Sequence, residues 1–456
     1  MLQVWLPLHK NLNNNGLTVT TITNSGATIN AGAYQFDGTD DYISIGGITN
    51  LFRGGTVPFT VSFWFYHTGN SRRGVIFGNY GLVSSNRFNI EITASNHLRF
   101  WWDSSPDWTI SAFTIPTQTW IHCTIVYNGT DIKIYKDGVL NSTRSGALTA
   151  KTPTGVYYLG RDSRTGATAF YGKLSDFRIY DHALSTKEIV ELSKGLLLHY
   201  TFDDYSIELT TLLDKSGMGN DAIIGGSFVI EANSGARYEH CTRFNSNYLL
   251  LDDVLTNDNK QMTISVWLKP TKKQTGCIWN GRSSVGLSFG VFYIGGSIRL
   301  DDNGGQMKCS TQLPLNQWTH VTCTWESGGQ KKIYYNGVLQ TSGTAGANSH
   351  TNTKATIGMS SAGDSKPSGN IFMGYMSDYR IYRKALSATE TLNLYQDGVI
   401  IDNKQNTFAY EFIEGVNGDT KITKNGNFKV KNTITENTDA KIFKNGNIET
   451  KQIYEY

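Results

Sequence analysis

The chain repeats itself at long range, and a duplication constrains its fold more than any other feature. Phe59-Thr60-Val61-Ser62-Phe63-Trp64 returns as Met262-Thr263-Ile264-Ser265-Val266-Trp267. Thr119-Trp120-Ile121-His122-Cys123-Thr124 returns as Gln317-Trp318-Thr319-His320-Val321-Thr322, and Ile134-Tyr135-Lys136-Asp137-Gly138-Val139-Leu140 as Ile333-Tyr334-Tyr335-Asn336-Gly337-Val338-Leu339. Ser175-Asp176-Phe177-Arg178-Ile179-Tyr180 then matches Ser377-Asp378-Tyr379-Arg380-Ile381-Tyr382, and Ala183-Leu184-Ser185 matches Ala385-Leu386-Ser387. These matches keep one order at offsets between 198 and 203 residues, which defines two copies of one domain.

Each copy reads as short strands. β-Branched and aromatic residues dominate Trp120–Tyr127, and they recur at Ile132, Ile134 and Val139. Asp137-Gly138 and Asn336-Gly337 suit the positive φ angles of a type I′ hairpin turn. The two convincing helices close the copies: Ser185-Thr186-Lys187-Glu188 and Ser387-Ala388-Thr389-Glu390 are capping boxes. Leu192 and Leu394 then face the core, and Gly195 and Gly398 end the helices. The reading is an all-β chain with domains over 1–194 and 195–398 joined by almost no linker, so the two should touch at a fixed angle. Residues 399–456 differ: Thr420–Phe428 recurs as Ala440–Ile448, each predicted as a hairpin around Lys-Asn-Gly. Two such hairpins bury little by themselves, so this segment is expected to dock or to make a homo-oligomer.

Composition excludes several classes. The 41 Lys and Arg against 38 Asp and Glu leave a net charge of +3, with no basic stripe to predict a nucleic-acid partner. No apolar run reaches the ~18 residues of a membrane helix, and Met1–Pro7 lacks the pattern of a secretory signal. The five cysteines show no CxxC pair and are read as reduced, buried thiols of a protein made in the cytoplasm.

Phe36-Asp37-Gly38-Thr39-Asp40-Asp41-Tyr42-Ile43, the Ser-x-Trp strand, Trp-x-His, the Asp-Gly turn and Ser-Asp-Phe-Arg-Ile-Tyr with Ala-Leu-Ser together resemble a laminin-G-like domain. The resemblance covers about 390 of the 456 residues. It implies tandem concanavalin A-like jelly-roll β-sandwiches followed by the small β-hairpin repeat segment. The second copy departs at Phe244–Tyr248, where the Asp-Gly-x-Asp-Asp of the first is lost. Tandem units ending in Lys-Asn-Gly repeats are also similar to surface proteins of tailed-phage virions. That setting implies exposure on the particle, contacts with other virion proteins and no membrane insertion.

Glycoside hydrolysis, found in this superfamily, needs two carboxylates roughly 5–10 Å apart. The best local strand, Asn89-Ile90-Glu91-Ile92, offers one, and Gly290-Val291-Phe292-Tyr293 offers none, so no enzyme is expected. His122 and Cys123 are strand neighbours on opposite faces and form no dyad. The resemblance implies a structural calcium ion, with Asp176, Asp378 and the Asp37-Gly38 turn as candidate ligands; pairing of either Asp with Arg178 or Arg380 is the alternative. Glycan binding points to Phe100–Trp108, because sugars stack on aromatic rings beside polar groups. Trp101, Trp102, Asp103, Asp107 and Trp108 are the candidates, with a protein interface as the alternative use of the same aromatics. The expected function is weak, multivalent adhesion to host-surface or mucus glycans. The alternatives are a structural capsid-decoration or tail and baseplate component, and a bacterial surface carbohydrate-binding protein.

Overall fold

The structure, a computed structural model, describes residues 1–396 except 8–15, 17–20, 31–32, 70–71, 80–87, 103–107, 152–154, 163–167, 203–206, 209, 233–239, 253–259, 284–285, 348–353 and 361–368, together with four short strands between 412 and 449. Residues 1–403 form one compact unit and 404–456 another.

Two antiparallel sandwiches make up the larger unit. In the first module one sheet runs in the order Val139–Ser145, Asp131–Lys136, Trp120–Tyr127, Phe59–His67, Tyr171–Tyr180, Ala33–Asp37, Thr28–Asn30. The facing sheet runs Trp108–Thr114, His97–Trp102, Phe88–Ile92, Gly74–Asn79, Tyr157–Leu159, Tyr42–Ile45, Ile22–Ser25. Strict alternation builds the core: Phe59, Val61, Phe63 and Phe65 of one sheet meet Phe77, Phe88, Ile90, Phe100 and Trp102 of the other. The second module repeats this plan, with Gln261–Pro270 between Gly374–Tyr382 and Thr319–Glu326, and a second core around Val266, Trp279, Val291 and Ile381.

The local signals act as their chemistry dictates. Asp137 and Gly138 take φ of +52° and +83°, and Asn336 and Gly337 take +50° and +76°. The Oδ1 of Asp137 accepts from the His122 N–H at 2.9 Å, as that of Asn336 does from His320 at 2.9 Å. Helix α1 (Thr186–Leu192) carries the full capping box of Ser185 and Glu188, and Ser387 with Glu390 repeats it at α2 (Ala388–Gln396). Cys123 is in the core while His122 lies on the other face, bonded to Ser62 Oγ at 2.9 Å. All five thiols are buried, and those of Cys241 and Cys277 donate to the Glu231 and Thr356 carbonyls at 3.8 Å and 3.7 Å.

Asp176 and Asp378 sit at strand bulges with φ of +52° and +49°. Each carboxylate is consumed internally. Asp176 Oδ1 accepts from Arg178 Nε at 2.7 Å and from the Trp5 indole at 2.7 Å. Asp378 Oδ1 accepts from Arg380 Nε at 2.6 Å and lies 2.9 Å from His199 Nε2. The expectation of calcium ligation by these two residues therefore gives way to the alternative, a buried ion pair.

The modules meet closely. Gly195 takes φ +63°, and a Cβ there would approach Trp64 to 2.7 Å. Gly217 of the second module abuts the edge of the Trp5 indole of the first, where a Cβ would collide with Cη2. Arg383, whose N–H donates to the Gly195 carbonyl at 2.8 Å at the boundary, reaches across the junction with its guanidinium, which donates to Ser175 Oγ at 3.2 Å.

In the smaller unit Phe412–Glu414 pairs with Thr420–Ile422, and Ile442–Lys444 pairs with Asn447–Glu449. The predicted turn at Asn445-Gly446, between Ile442–Lys444 and Asn447–Glu449, lies outside the described residues. Thr420–Ile422 turns back on the preceding strand, and the expected turn at Asn425-Gly426 lies outside the described residues.

Burial raises the pKa of the Asp378 carboxyl, and Arg380 and His199 more than reverse this, holding it well below the usual carboxylate range. A depressed folded pKa gives stabilisation that is complete above the unfolded value of about 4 and is lost as pH falls toward the folded value. Thermal melts from pH 6 to pH 2 should show this loss. Asp378→Asn should cost about 3–5 kcal/mol at neutral pH, because it strands a buried guanidinium, and should flatten the acid limb. An unchanged acid limb in the variant contradicts the assignment.

Candidate functional site

The outward face of each second sheet gathers polar groups that the core does not use. In the first module Phe88, Ile90 and Ile92 point inward, so Asn89 and Glu91 point outward. On the next strand Leu98, Phe100 and Trp102 take the core, leaving His97, Arg99 and Trp101 outside. Register aligns Ser44, Tyr158, Gly78, Asn89 and Trp101 in one row across the sheet. Gly78 is required there by space, because a Cβ would collide with the Asn89 side chain.

Asn89 is fully buried, and among the described residues neither its Oδ1 nor its Nδ2 has a hydrogen-bond partner. An unpaired buried amide is costly, which makes it the most conspicuous polar group of this face. Trp101 flanks it, half-buried, on one side. Along the row the Arg161 guanidinium stacks 3.5 Å over Tyr42, whose ring lies 5.7 Å from Tyr158. Glu91, two residues along the strand, is clamped by Arg73 Nε at 2.8 Å and Arg99 Nε at 2.5 Å.

The second module carries a matching row of Thr356, Asn280, Gly290 and Asp301. All three side chains are buried. Thr356 Oγ1 and Asp301 Oδ1 have no hydrogen-bond partner, while Asp301 Oδ2 accepts from Arg299 at 2.6 Å. Burial raises the Asp301 pKa, and Arg299 opposes it. Among the described residues each row is served by one carboxylate, Glu91 or Asp301, held by arginine. That chemistry suits hydrogen bonding to hydroxyl groups, and it does not supply the acid and base pair of glycoside hydrolysis.

Of the five aromatic and acidic candidates around residues 101–108, Trp101 alone lies on this face with a described side chain. Trp102 is a core residue: it is 0% exposed, stacks on Phe59 at 6.2 Å and donates from its indole to the Thr149 carbonyl at 3.1 Å. The expectation that Trp102 meets a sugar therefore gives way to a packing role. Trp108 pairs with Trp102 through its backbone, while its side chain, Asp103 and Asp107 lie outside the described residues. Asn89, Thr356 and Asp301 were not singled out from sequence, although alternation with Phe88, Ile90 and Ile92 marks Asn89 as outward.

The Asp37-Gly38 turn brings Asp37, Asp40 and Asp41 together, with ligand atoms within 4.8 Å of one another. Asp37 Oδ1 accepts from the Thr39 N–H at 2.7 Å, and Asp41 Oδ2 accepts from the Asp37 N–H at 2.9 Å. Burial raises the Asp41 pKa, with Asp37 and Asp40 adding to it. In the second module Asn247 does the same structural work, its Oδ1 accepting from the Asn245 N–H at 2.8 Å. The turn thus persists where its carboxylates are lost.

A family model described as the concanavalin A-like lectin/glucanases superfamily matches residues 37–190 and 244–391. Among solved structures, domain 4 of the Geobacillus stearothermophilus arabinanase AbnA, in complex with arabinotriose, is 22% identical with a TM-score of 0.36, covering 44% of this chain and 98% of that one. The receptor-binding domain of botulinum neurotoxin D is 14% identical with a TM-score of 0.37, covering 85% of this chain and 98% of that one. The CBM40 of a Ruminococcus gnavus IT-sialidase, bound to sialyllactose, is 16% identical with a TM-score of 0.27, covering 30% of this chain and 83% of that one. No curated protein matches the sequence.

Truncating Trp102 removes a ring packed on every side, so Trp102→Ala should lower unfolding stability by about 3–5 kcal/mol in denaturant melts. Trp101→Ala should stay within about 1 kcal/mol of the parent. Equal losses from the two substitutions would contradict their placement on opposite faces.

Proposed function

This chain belongs to the concanavalin A-like lectin/glucanase superfamily, and from that premise we propose that it is a non-enzymatic carbohydrate-binding protein whose ligands lie on the outward faces of its second sheets. The observation that carries the reading is the row in which the unpaired amide of Asn89 lies between Gly78 and the half-buried ring of Trp101. A pyranose offers an apolar face for the indole and hydroxyls for the amide, and either is worth little alone. The glycine keeps the floor low enough for a ring to approach. Thr356 and Asp301 repeat the polar half of that arrangement without the tryptophan, so the first module is the stronger binder.

The biological setting follows as part of the same proposal: display on a tailed-phage particle, with weak single sites made sufficient by many copies. Residues 404–456 then serve assembly. Their paired hairpins are consistent with a segment that joins copies of the chain or docks on another virion protein.

Calcium belongs to the proposal at the Asp37–Asp41 turn. Asp37, Asp40 and Asp41 are the residues that would hold the ion, which would relieve the mutual repulsion of three converging carboxylates. A chelator should lower the melting temperature of the parent chain, and Asp40→Asn should remove that response. A chelator without effect contradicts calcium binding.

A glycan array of the full chain tests the main reading. Reproducible binding to one class of neutral or acidic glycan supports it, and folded protein that binds none overturns it in favour of a structural role. Asn89→Leu separates function from folding, because replacing an unpaired amide by an apolar side chain of similar size should raise the melting temperature while abolishing glycan binding. A variant that is stabilised and still binds would move the site elsewhere.

A further inference from the structure

A cleft of about 250 Å³ opens at the junction of the two modules, away from both sheet faces described above. Its walls come from both sides: Trp64, Trp120, Lys136 and Asp137 from the first module, Lys260 and Arg383 from the second. The Arg383 guanidinium lies 4.1 Å over the Trp120 ring and 5.3 Å from that of Trp64.

The two modules treat the equivalent surface differently. In the second, Tyr395 of α2 covers Trp267 and His320, with ring centroids 5.7 Å and 6.1 Å away. In the first, the matching position after α1 is Ser193, and the cation of Arg383 faces Trp64 instead. An aromatic cap has been exchanged for a charged one. The indole N–H of Trp64, whose side chain is buried, has no acceptor among the described residues.

Charge around the cleft is one-sided among the described residues. Lys136, Lys260, Arg383 and Lys384 line it against the single described carboxylate of Asp137. Lys384 is neutralised by Glu390 at 2.8 Å, and Lys136, Lys260 and Arg383 outnumber Asp137, which leaves the balance of these described groups positive. His122 behind the wall responds to this: burial, followed by the nearby Arg178, Lys384 and Arg383, pushes its pKa down to about 3.

We propose that this junction cleft binds a carboxylate-bearing sugar ring, with a hexuronic acid as the type ligand. The cations of Lys136, Lys260 and Arg383 match the carboxylate, and the Trp64 indole donates to a ring or carboxylate oxygen. The volume admits a single ring, at the small end of ligand pockets. Because its walls belong to two modules, the site exists only in the tandem chain. It is independent of the glycan reading for the sheet faces and stands or falls separately.

Titration of the intact chain with glucuronate and galacturonate, followed by tryptophan fluorescence and calorimetry, tests the site. Glucose supplies the ring without the charge, and acetate and inorganic phosphate supply charge without the ring. Saturable uronate binding is expected, at least tenfold tighter than for any of the three controls. Lys260→Ala and Lys136→Ala should each weaken it about tenfold, the scale of one charged hydrogen bond, with no change in melting temperature. Uronate binding no tighter than acetate, phosphate or glucose overturns the proposal, as does uronate binding unchanged in both lysine variants. Loss of the uronate response in Trp101→Ala would place the ligand on the sheet face and also overturns it.

Discussion

The larger unit depends on a buried aspartate–arginine pair that occurs once in each module. Residues 171–174 pair with the strand Ala33–Asp37, and residues 177–180 pair with Leu2–Leu6. Asp176 sits where the long strand changes partner, in a left-handed conformation that breaks the alternation. The same change occurs at Asp378, between pairing with His240–Phe244 and pairing with Leu196–Tyr200. Burying the charges costs solvation, and the arginine two residues on, together with Trp5 or His199 from the opening strand, offsets it. The pair ties the first and last strands of each module together. The closing helix and the junction follow directly from that closure.

Duplication followed by divergence explains the difference between the two modules' surfaces. Both modules keep the bulge pair, the hairpin turn and the capped helix, which are requirements of the fold. They differ where the fold is indifferent. Trp101 stands opposite Asp301 in the equivalent rows, Asn89 opposite Gly290, and Ser193 opposite Tyr395. A protein of this kind can hold one binding surface on a sheet and another at the junction without compromising either core.

Much of the fold was legible because it rests on local chemistry. Asp137-Gly138, Asn336-Gly337 and the capping boxes are signals a few residues long, and the structure places them where the spacing predicts. The site was legible only in part. Alternation says that Trp101 and Trp102 face opposite ways, but which face is core depends on packing against Phe59, some 40 residues earlier. The family resemblance offers Asp176 as a metal ligand with pairing to Arg178 as the alternative, and only the positive φ and the indole of Trp5 reveal how fully its carboxylate is used. Arg383 contributes to the surface of the other module, a relation that spacing along the chain does not carry. In the C-terminal unit Ile442–Lys444 pairs with Asn447–Glu449 inside the repeat, while Thr420–Ile422 finds its partner in the preceding Phe412–Glu414, outside it.

The central claim is that the outward row of Asn89 and Trp101 is a carbohydrate surface. A crystal structure of the chain soaked with an oligosaccharide of the class it binds tests this most directly. The account predicts a pyranose ring stacked on Trp101, with a hydroxyl in hydrogen-bond contact with the Asn89 amide. A sugar seated on the loops or on the other sheet, with Asn89 still unpaired, would contradict it.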